Sequence, residues 1–393
     1  MRGGNSGHTD WRRIALAYVA GVACVIQLGL IAPMVPSLER EFDLTLPFVA
    51  MVLSAMTAVA TIFGAVTGTL TVRWGLARSL KAGLAVLAIT AALGALVENG
   101  PALLATRCLA GIGYIVAMVT APALIARLAQ PRDQPLAFGI WSTFGPLGIA
   151  CAEAAAQFLD PLGWRGLLWA DAAMLAALCV AVVAVIREIE IPAAPAAAAP
   201  LAFWRLYGMR APMLLCAAFV TFSFAFIVFA GLVPTYLTES RGFPVAQVGR
   251  LTGLAMLAGI PGAVGAGWLM RRGRSPLRLA VVSLVVPALL SIAIFEPTPL
   301  AVTIVALAGA AGLGGMMPAA TYALIPRIEP DPHLFAPING LLTQLASLGV
   351  LAGSPLFAVW TDAFGWSLGP ALLIALALAG VASLIAVGRH ARP

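Results

Sequence analysis

Residues 166–186 read GLLWADAAMLAALCVAVVAVI, a stretch of 21 residues in which the acid Asp171 is the one charged side chain. A helix needs about 20 residues to cross a hydrocarbon core of roughly 30 Å. A run of this length and composition therefore predicts a helix that crosses a membrane.

The same pattern recurs along the whole chain. Apolar residues make up 61% of the sequence and charged residues only 10%, whereas a soluble domain carries roughly a quarter charged residues. The predicted fold class is an all-α membrane protein with twelve transmembrane helices. The twelve apolar runs are 14–36, 47–71, 79–98, 102–128, 135–158, 165–186, 212–236, 245–270, 277–295, 298–325, 336–359 and 366–388.

The basic residues indicate which way these helices cross. With the N-terminus inside, 18 of the 23 basic residues lie on the cytoplasmic side, 4 lie outside, and Arg107 remains within a span. Basic residues are enriched in cytoplasmic loops. We therefore expect a multi-pass protein with both termini in the cytoplasm, and the alanine- and arginine-rich composition suggests a bacterial inner (plasma) membrane.

A proline- and alanine-rich segment divides the chain near its midpoint. Residues 192–203 read PAAPAAAAPLAF, which favours an extended, semi-rigid connector. The predicted organisation is a six-helix N-terminal bundle at 1–190, a cytoplasmic linker at 191–206 and a six-helix C-terminal bundle at 207–393.

Short motifs of the first half recur in the second half about 200 residues later, in the same order and at equivalent span ends. This pattern predicts two pseudo-repeat bundles, an arrangement typical of transporters that rock two bundles about a central site. The matching segments are 64–66 with 262–264, 73–75 with 271–273, 123–127 with 323–327, and 163–164 with 365–366.

Several of these motifs resemble those of the major facilitator superfamily over essentially the whole chain. The loop GTLTVRWGLAR at 68–78 resembles that family's cytoplasmic gate motif, with Val72 where the family usually has an acid. The segment 107–113 resembles the fourth-helix motif, and Gly139 with 145–148 resembles part of the fifth-helix motif of exchangers. The gate and motif residues are Gly68, Arg73, Gly75, Arg78, Gly145, Pro146, Arg271 and Gly273. The resemblance implies the family's two-bundle fold and a role for Arg107 in proton coupling or in binding substrate charge.

Three ionisable residues are predicted to share one layer of the first half, roughly 10 Å below the outer surface. They are Arg107 on span four, Glu153 on span five and Asp171 on span six. Charged groups within a span are costly and mark functional sites. In the functional interpretation, Glu153 takes up a proton and its distance from Arg107 sets the proton affinity. The alternatives are a fixed Arg107–Glu153 pair that joins two helices, and an Asp171 that pairs with Arg165.

Polar residues on other spans are candidates for a substrate cavity. Each of them could instead serve helix–helix packing. Gly145 and Gly148 are expected to let helix backbones approach closely. The cavity candidates are Gln27, Tyr18, Asn339, Thr343 and Tyr322.

The sequence favours a secondary transporter that moves a small organic solute by alternating access, with proton-coupled exchange or efflux. Proton-coupled uptake of a small organic anion is the alternative. A non-transporting receptor and a membrane-embedded enzyme are the other classes. We expect no enzyme activity, no cofactor, no metal site and no nucleic-acid partner. The expected partners are the substrate, protons and the lipid bilayer, and the expected state is a monomer.

Overall fold

The computed structural model describes residues 8–186 and 203–389, and within these ranges the chain is helical and has no β-strand. Twelve helical segments of the described residues are long and apolar enough to cross a membrane, which confirms the predicted fold class. The spans, numbered one to twelve, are Trp11–Phe42, Pro47–Trp74, Leu76–Ala95, Gly100–Leu128, Gln134–Ala155, Pro161–Val185, Arg210–Ser240, Val245–Arg271, Pro276–Phe295, Leu300–Ile328, Phe335–Phe364 and Trp366–Gly388.

The described helices outnumber the spans because several spans are built from more than one helix. The α-helices are α1 Trp11–Gly29, α2 Ile31–Phe42, α3 Leu46–Trp74, α4 Leu76–Ala95, α5 Gly100–Leu128, α6 Gln134–Trp141, α7 Phe144–Ala155, α8 Leu159–Val185, α9 Arg210–Ile227, α10 Val233–Thr235, α11 Val245–Met256, α12 Gly259–Arg271, α13 Pro276–Phe295, α14 Leu300–Gly314, α15 Met316–Ile328, α16 Phe335–Phe364 and α17 Gly369–Gly388.

Span one is broken near its middle. Helix α1 ends at Gly29 and α2 begins at Ile31, with Leu30 between them. The ring of Pro33 removes the N–H that would bond to the carbonyl of Gly29, so the helix cannot continue unchanged through this point. Carbonyl groups of the last turn of α1 are therefore left to find partners inside the protein.

Span seven departs from the α-helix in a different way. Two π-helical turns, Val228–Leu232 and Tyr236–Ser240, flank the short helix α10. A π-helical turn contains an extra residue and is frequent at functional sites. The sequence-based interpretation treated this span as a regular helix.

The chain divides into two compact units. Unit 1 comprises the described residues within Met1–Gln134, Leu147–Phe203 and His333–Gln344, and unit 2 those within Pro135–Pro146, Trp204–Pro332 and Leu345–Pro393. Each unit thus includes the first half of a span from the other half of the sequence. The domain boundaries at 190 and 207 remain a prediction, and most of the linker at 191–206 falls outside the described residues.

Each unit has its own apolar core. In unit 1 the core contains Ile31, Met34, Leu103 and Trp164. In unit 2 the aromatic rings of Tyr236, Phe295, Phe357 and Trp366 lie together, with centroids 5.2–6.3 Å apart. Aromatic pairs at such distances contribute beyond their buried area.

The repeated gate motif has the same backbone conformation in both copies. Gly75 has a φ of 94° and Gly273 a φ of 87°, values that residues with a side chain rarely adopt. Arg73, Arg78 and Arg271 are exposed beside these turns. Both copies therefore need glycine to reverse the chain between two consecutive helices.

Candidate functional site

Arg107 lies inside unit 1, where it closes the broken end of span one. Its side chain projects from α5 and is only 4% exposed. Nη1 donates to the carbonyl of Gln27 at 3.1 Å and Nη2 to the carbonyl of Leu28 at 3.3 Å. These carbonyls belong to the last turn of α1, where the helix dipole favours a positive charge. The guanidinium therefore acts as a cap within the membrane-spanning region.

Gln27 connects the same site to span three. Its Nε2 donates to the carbonyl of Leu87 at 2.9 Å, and its buried Oε1 has no hydrogen-bond partner. A small cavity, about 10 Å³ for the centre of a water molecule, lies beside it and is lined by Thr90, Thr106 and Arg107. That space is close to the minimum for one water. Gln27 and Arg107 thus border one small cavity whose lining is mostly apolar.

Asp171 is the third polar group in this part of unit 1. It lies on α8, is 3% exposed, and neither carboxyl oxygen has a hydrogen-bond partner. The charges of Asp171 and Arg107 interact, although no ion pair within 4.0 Å joins them. Arg165 does not reach Asp171, because it pairs with Glu41 and donates to the carbonyl of Val97. The predicted alternative pairing of Asp171 with Arg165 is not formed.

Glu153 lies on a different face of α7 from the residues that contact span one. Its side chain is exposed, whereas Gly148 on α7 packs against Val25 of α1, and Ala152 lies close to Gly29. No hydrogen bond or ion pair joins Glu153 to Arg107 among the described residues. The structure therefore brings Arg107 together with Gln27 and Asp171 and leaves Glu153 apart. Its role in coupling remains a prediction.

Asn339 binds span four next to a proline. Pro122 lies within α5 and has no N–H, so the carbonyl of Met118, four residues earlier, lacks its helical partner. The fully buried Asn339 donates Nδ2 to the carbonyls of Met118 and Val119 at 3.2 and 3.1 Å. Thr343, one turn further on α16, donates to the carbonyl of Asn339 at 2.8 Å. Asn339 thus serves helix joining within unit 1.

Glycines let the first half of span eleven lie against span two. A Cβ atom added at Gly340 would be 2.9 Å from Cα and 3.0 Å from N of Gly68, and would also meet the carbonyl oxygen of Gly64. Gln344, one turn further, accepts a hydrogen bond from the backbone N–H of Ala65 at 3.0 Å. We call this set of contacts the unit 1 seam.

A matching contact occurs in unit 2 between spans five and eight. A Cβ atom added at Gly139 would be 2.9 Å from Cα and 3.1 Å from N of Gly267, and 2.8 Å from the carbonyl oxygen of Ala263. Next to it, Phe138 is stacked on Tyr322 with ring centroids 5.8 Å apart. We call this set the unit 2 seam.

The remaining predicted residues have varied surroundings. Tyr18 is half-buried on α1, and Tyr322 is buried and takes part in the unit 2 seam. Pro146 lies within α7. The expectation that Gly145 allows a close backbone approach is wrong, because nothing lies within 4 Å of a Cβ atom placed there. Gly148 does show the expected close contact, since its face of the helix meets span one.

Several residues of these contacts were missed by the sequence-based interpretation. They include Phe138, Gln344 and the carbonyl of Met118. For the carbonyl a signal was present, because a proline within a span frees the carbonyl four residues before it. Nothing in the local pattern indicated that Phe138 would meet Tyr322, since both lie in apolar runs.

Comparison with known proteins gives the family. The family model described as the Major Facilitator Superfamily matches residues 17–331. Curated relatives include the multidrug transporter mfsC of Aspergillus fumigatus, 28% identical over 37% of this chain and 28% of that protein. Another is the arabinose-proton symporter of Escherichia coli (strain K12), 30% identical over 39% of this chain and 32% of that protein. The matched segments thus span about a third of these relatives' length.

Solved structures share the fold over nearly the whole chain. The human organic anion transporter MFSD10 matches with a TM-score of 0.78 at 15% identity, covering 95% of this chain and 99% of that chain. The structure of FucP in the outward conformation matches with a TM-score of 0.77 at 16% identity, covering 97% and 99%. These relatives and the proteins of these solved structures are named as transporters or symporters. The predicted family is confirmed, and the chain belongs to the Major Facilitator Superfamily.

Proposed function

We propose that the protein is a secondary active transporter that moves a small organic solute by alternating access, with proton-coupled exchange or efflux. The observation that supports this most is the pair of buried ionisable groups, Arg107 and Asp171, within apolar spans. Such groups are rare in membrane segments and mark ion or substrate pathways. A pair that merely joined helices would be expected to form a direct ion pair, which these two side chains do not.

The burial of Arg107 bears on the choice between coupling and substrate binding. Its guanidinium is 4% exposed and donates to two main-chain carbonyls. A residue that captured an organic anion would need donors open to a cavity larger than the water-sized space beside Arg107. The arrangement supports coupling by Arg107 over direct capture of solute, and hence exchange over anion uptake. The partial exchanger motif at Gly139, Gly145 and Pro146 favours the same direction.

Two of the relatives have names that include proton coupling. The arabinose- and galactose-proton symporters are named for symport with a proton, whereas mfsC is named a multidrug transporter. Proton-coupled uptake of a small organic anion is therefore the second candidate. The name of MFSD10, an organic anion transporter, is the observation that favours it.

We further propose a bacterial inner-membrane location, both termini in the cytoplasm and a monomeric state. The distribution of basic residues, 18 inside against 4 outside, supports the orientation. Single cysteines introduced at the linker and at each terminus of a cysteine-free variant can be labelled in intact cells. A label reaching the linker from outside would contradict this orientation.

Proteoliposomes that contain a trapped pH-sensitive dye test the transport mechanism. An outward-directed gradient of ethidium, salicylate, D-galactose or L-arabinose is imposed in turn, and internal pH and solute flux are recorded together. Exchange predicts that ethidium efflux acidifies the lumen, because protons enter as the solute leaves. Anion–proton symport predicts that salicylate efflux makes the lumen more alkaline, because protons leave with the solute. Flux that is unchanged when an ionophore removes the proton gradient would contradict proton coupling.

The three coupling candidates can be compared in the same assay. Arg107→Gln, Glu153→Gln and Asp171→Asn each remove one charge and keep a similar side-chain volume. A coupling residue is expected to lose gradient-driven flux while solute equilibration without a gradient persists. Unchanged gradient dependence removes that residue from the coupling role.

A further inference from the structure

Asp171 lies in a surrounding that does not stabilise a negative charge. Its helix α8 packs against α1, α2 and α4. The groups whose charge interacts with it are Arg107 from α5 and the thiol of Cys24 from α1. Among the described residues of α2 and α4, Glu41 is engaged with Arg165 and Lys81 lies near Cys179, eight residues further along α8. In the part of the chain that the structure describes, neither oxygen of the carboxyl group accepts a hydrogen bond, and Arg107 is the cation whose charge acts on it.

The hydrogen bonds of the two residues indicate how charge is distributed in this arrangement. An ionised carboxylate without hydrogen bonds is far more costly to bury than a neutral carboxylic acid. Both oxygens of Asp171 are buried and without a partner. The guanidinium of Arg107, in contrast, has carbonyl partners at the end of α1. The charge of Arg107 is thus accommodated without the help of Asp171.

We propose that Asp171 is the proton-binding group of unit 1, neutral while Arg107 caps α1 and ionised when Arg107 turns toward it. The step is a simple ionisation, in which the O–H bond of the carboxylic acid breaks, the proton passes to water, and Arg107 keeps its own proton. The net charge of the site then falls by one. Arg107 has two sets of partners, the α1 carbonyls and the Asp171 carboxylate, and the proton on Asp171 decides between them.

The cavity next to Arg107 has space for about one water and reaches α8. Arg107 lines it together with Leu168, which lies one helical turn before Asp171 on α8. Nε of Arg107 is buried and has no partner, so a rotation toward α8 sacrifices no hydrogen bond at that atom. The broken span one would lose its cap in this movement, because the carbonyls of Gln27 and Leu28 would be released.

Glu153 provides a matched contrast on the same half of the sequence. Its side chain is exposed, and within residues 8–186 and 203–389 no ion pair joins it to a basic residue. The inference therefore separates two acids that the sequence places at one depth. The proton-binding role of Asp171 does not require transport. Only the use of this proton to drive transport rests on the proposed function.

The test is infrared spectroscopy of the purified, lipid-reconstituted protein, without any substrate. The carbonyl stretch of protonated carboxyl groups is recorded as pH is raised, and slow deuterium exchange selects the buried groups. We expect a buried carboxyl signal that is lost on alkalinisation, absent in Asp171→Asn and retained in Glu153→Gln. A signal that persists in Asp171→Asn, or that disappears in Glu153→Gln, would overturn the assignment.

Two further variants keep the test independent of folding and of transport. Asp171→Glu retains a carboxyl group and should keep the signal at a shifted frequency; an unshifted signal overturns the proposal. Arg107→Gln should abolish the pH-dependent loss of the signal, since no cation remains to stabilise the carboxylate, and an unchanged titration overturns the proposal. If Asp171 titrates as expected while flux ignores the proton gradient, the proposed coupling fails and the proton site stands.

Discussion

In unit 1 the first half of span eleven lies against span two through Gly340, and in unit 2 the first half of span five lies against span eight through Gly139. The backbone atoms approached are equivalent, namely Cα and N of Gly68 in one seam and of Gly267 in the other. The neighbouring side chains differ. Asn339 donates to the carbonyl of Met118, which Pro122 leaves free, and to that of Val119, whereas Phe138 stacks on Tyr322.

This difference shows which part of a duplicated contact is fixed by geometry. Two helices can approach to backbone contact only where small residues stand at the crossing, so the glycines recur. The residue next to each glycine has to match the chemical group that the facing helix presents. A helix with a proline presents a carbonyl and needs a donor, and a helix with a tyrosine ring presents an apolar face and needs another ring.

The largest effect is expected from filling the glycine positions. Gly340→Leu and Gly139→Leu place atoms against backbone that cannot give way, and overpacking costs about 1–3 kcal/mol. We expect both variants to lower the thermal unfolding temperature by similar amounts in detergent. Gly265→Leu is the control, because nothing lies within 4 Å of a Cβ atom there. A lower unfolding temperature in only one of the two variants would show that the two contacts are not equivalent.

A double-mutant cycle tests the role of Asn339. Asn339→Leu leaves the carbonyl of Met118 buried without a donor, at a cost of about 1–3 kcal/mol. Pro122→Ala restores the N–H that binds this carbonyl within the helix. We therefore expect Asn339→Leu to destabilise the protein less in the Pro122→Ala background, as measured by chemical or thermal unfolding. Equal destabilisation in both backgrounds would show that Asn339 acts without regard to the proline.

A smaller effect is expected at the stacked pair of unit 2. Phe138→Leu keeps an apolar side chain and removes the ring, and an aromatic pair contributes about 0.5–1.5 kcal/mol beyond its buried area. Tyr322→Leu should have no additional stacking cost once Phe138 is leucine. Additive losses in thermal stability would contradict a direct contribution from stacking.

The smallest effect is expected at the end of span six. Trp164 Nε1 donates to Glu41 at 2.7 Å and the guanidinium of Arg165 lies 4.1 Å from the Trp164 ring centre. Its counterpart Trp366 lies among aromatic rings instead. Because Glu41 and Arg165 are about 40% exposed, Glu41→Gln should lower the free energy of unfolding by about 0.2–1 kcal/mol. High salt screens the ion pair, so this difference should disappear there. A loss of stability unaffected by salt would contradict this.

The number and positions of the spans could be predicted, because a bilayer demands long apolar runs whatever their partners. The ends were less predictable: span one was expected at 14–36 and extends over Trp11–Phe42. The N-terminal helix has a cap at Asp10, which accepts from the N–H of Arg13. At the other end α2 continues past the apolar run with polar residues, which hydropathy does not detect.

The candidate site was only partly predictable. Sequence distance gives the depth of a residue in the membrane, and so Arg107, Glu153 and Asp171 were expected in one layer. The direction in which each side chain points was not predictable, because these spans are apolar nearly all round and have no distinct polar face. As a result Arg107 was paired in expectation with Glu153, whereas its hydrogen bonds go to main-chain carbonyls of span one.

The two π-helical turns of span seven have a consequence for how that span can respond to a bound solute. Each turn holds one residue more than an α-helical turn, and one residue corresponds to a rotation of about 100°. Converting the turn at Val228–Leu232 to α-helix would rotate Tyr236 and everything beyond it about the helix axis. Such a conversion would change the side of span seven on which Tyr236 lies, while the span stayed helical throughout.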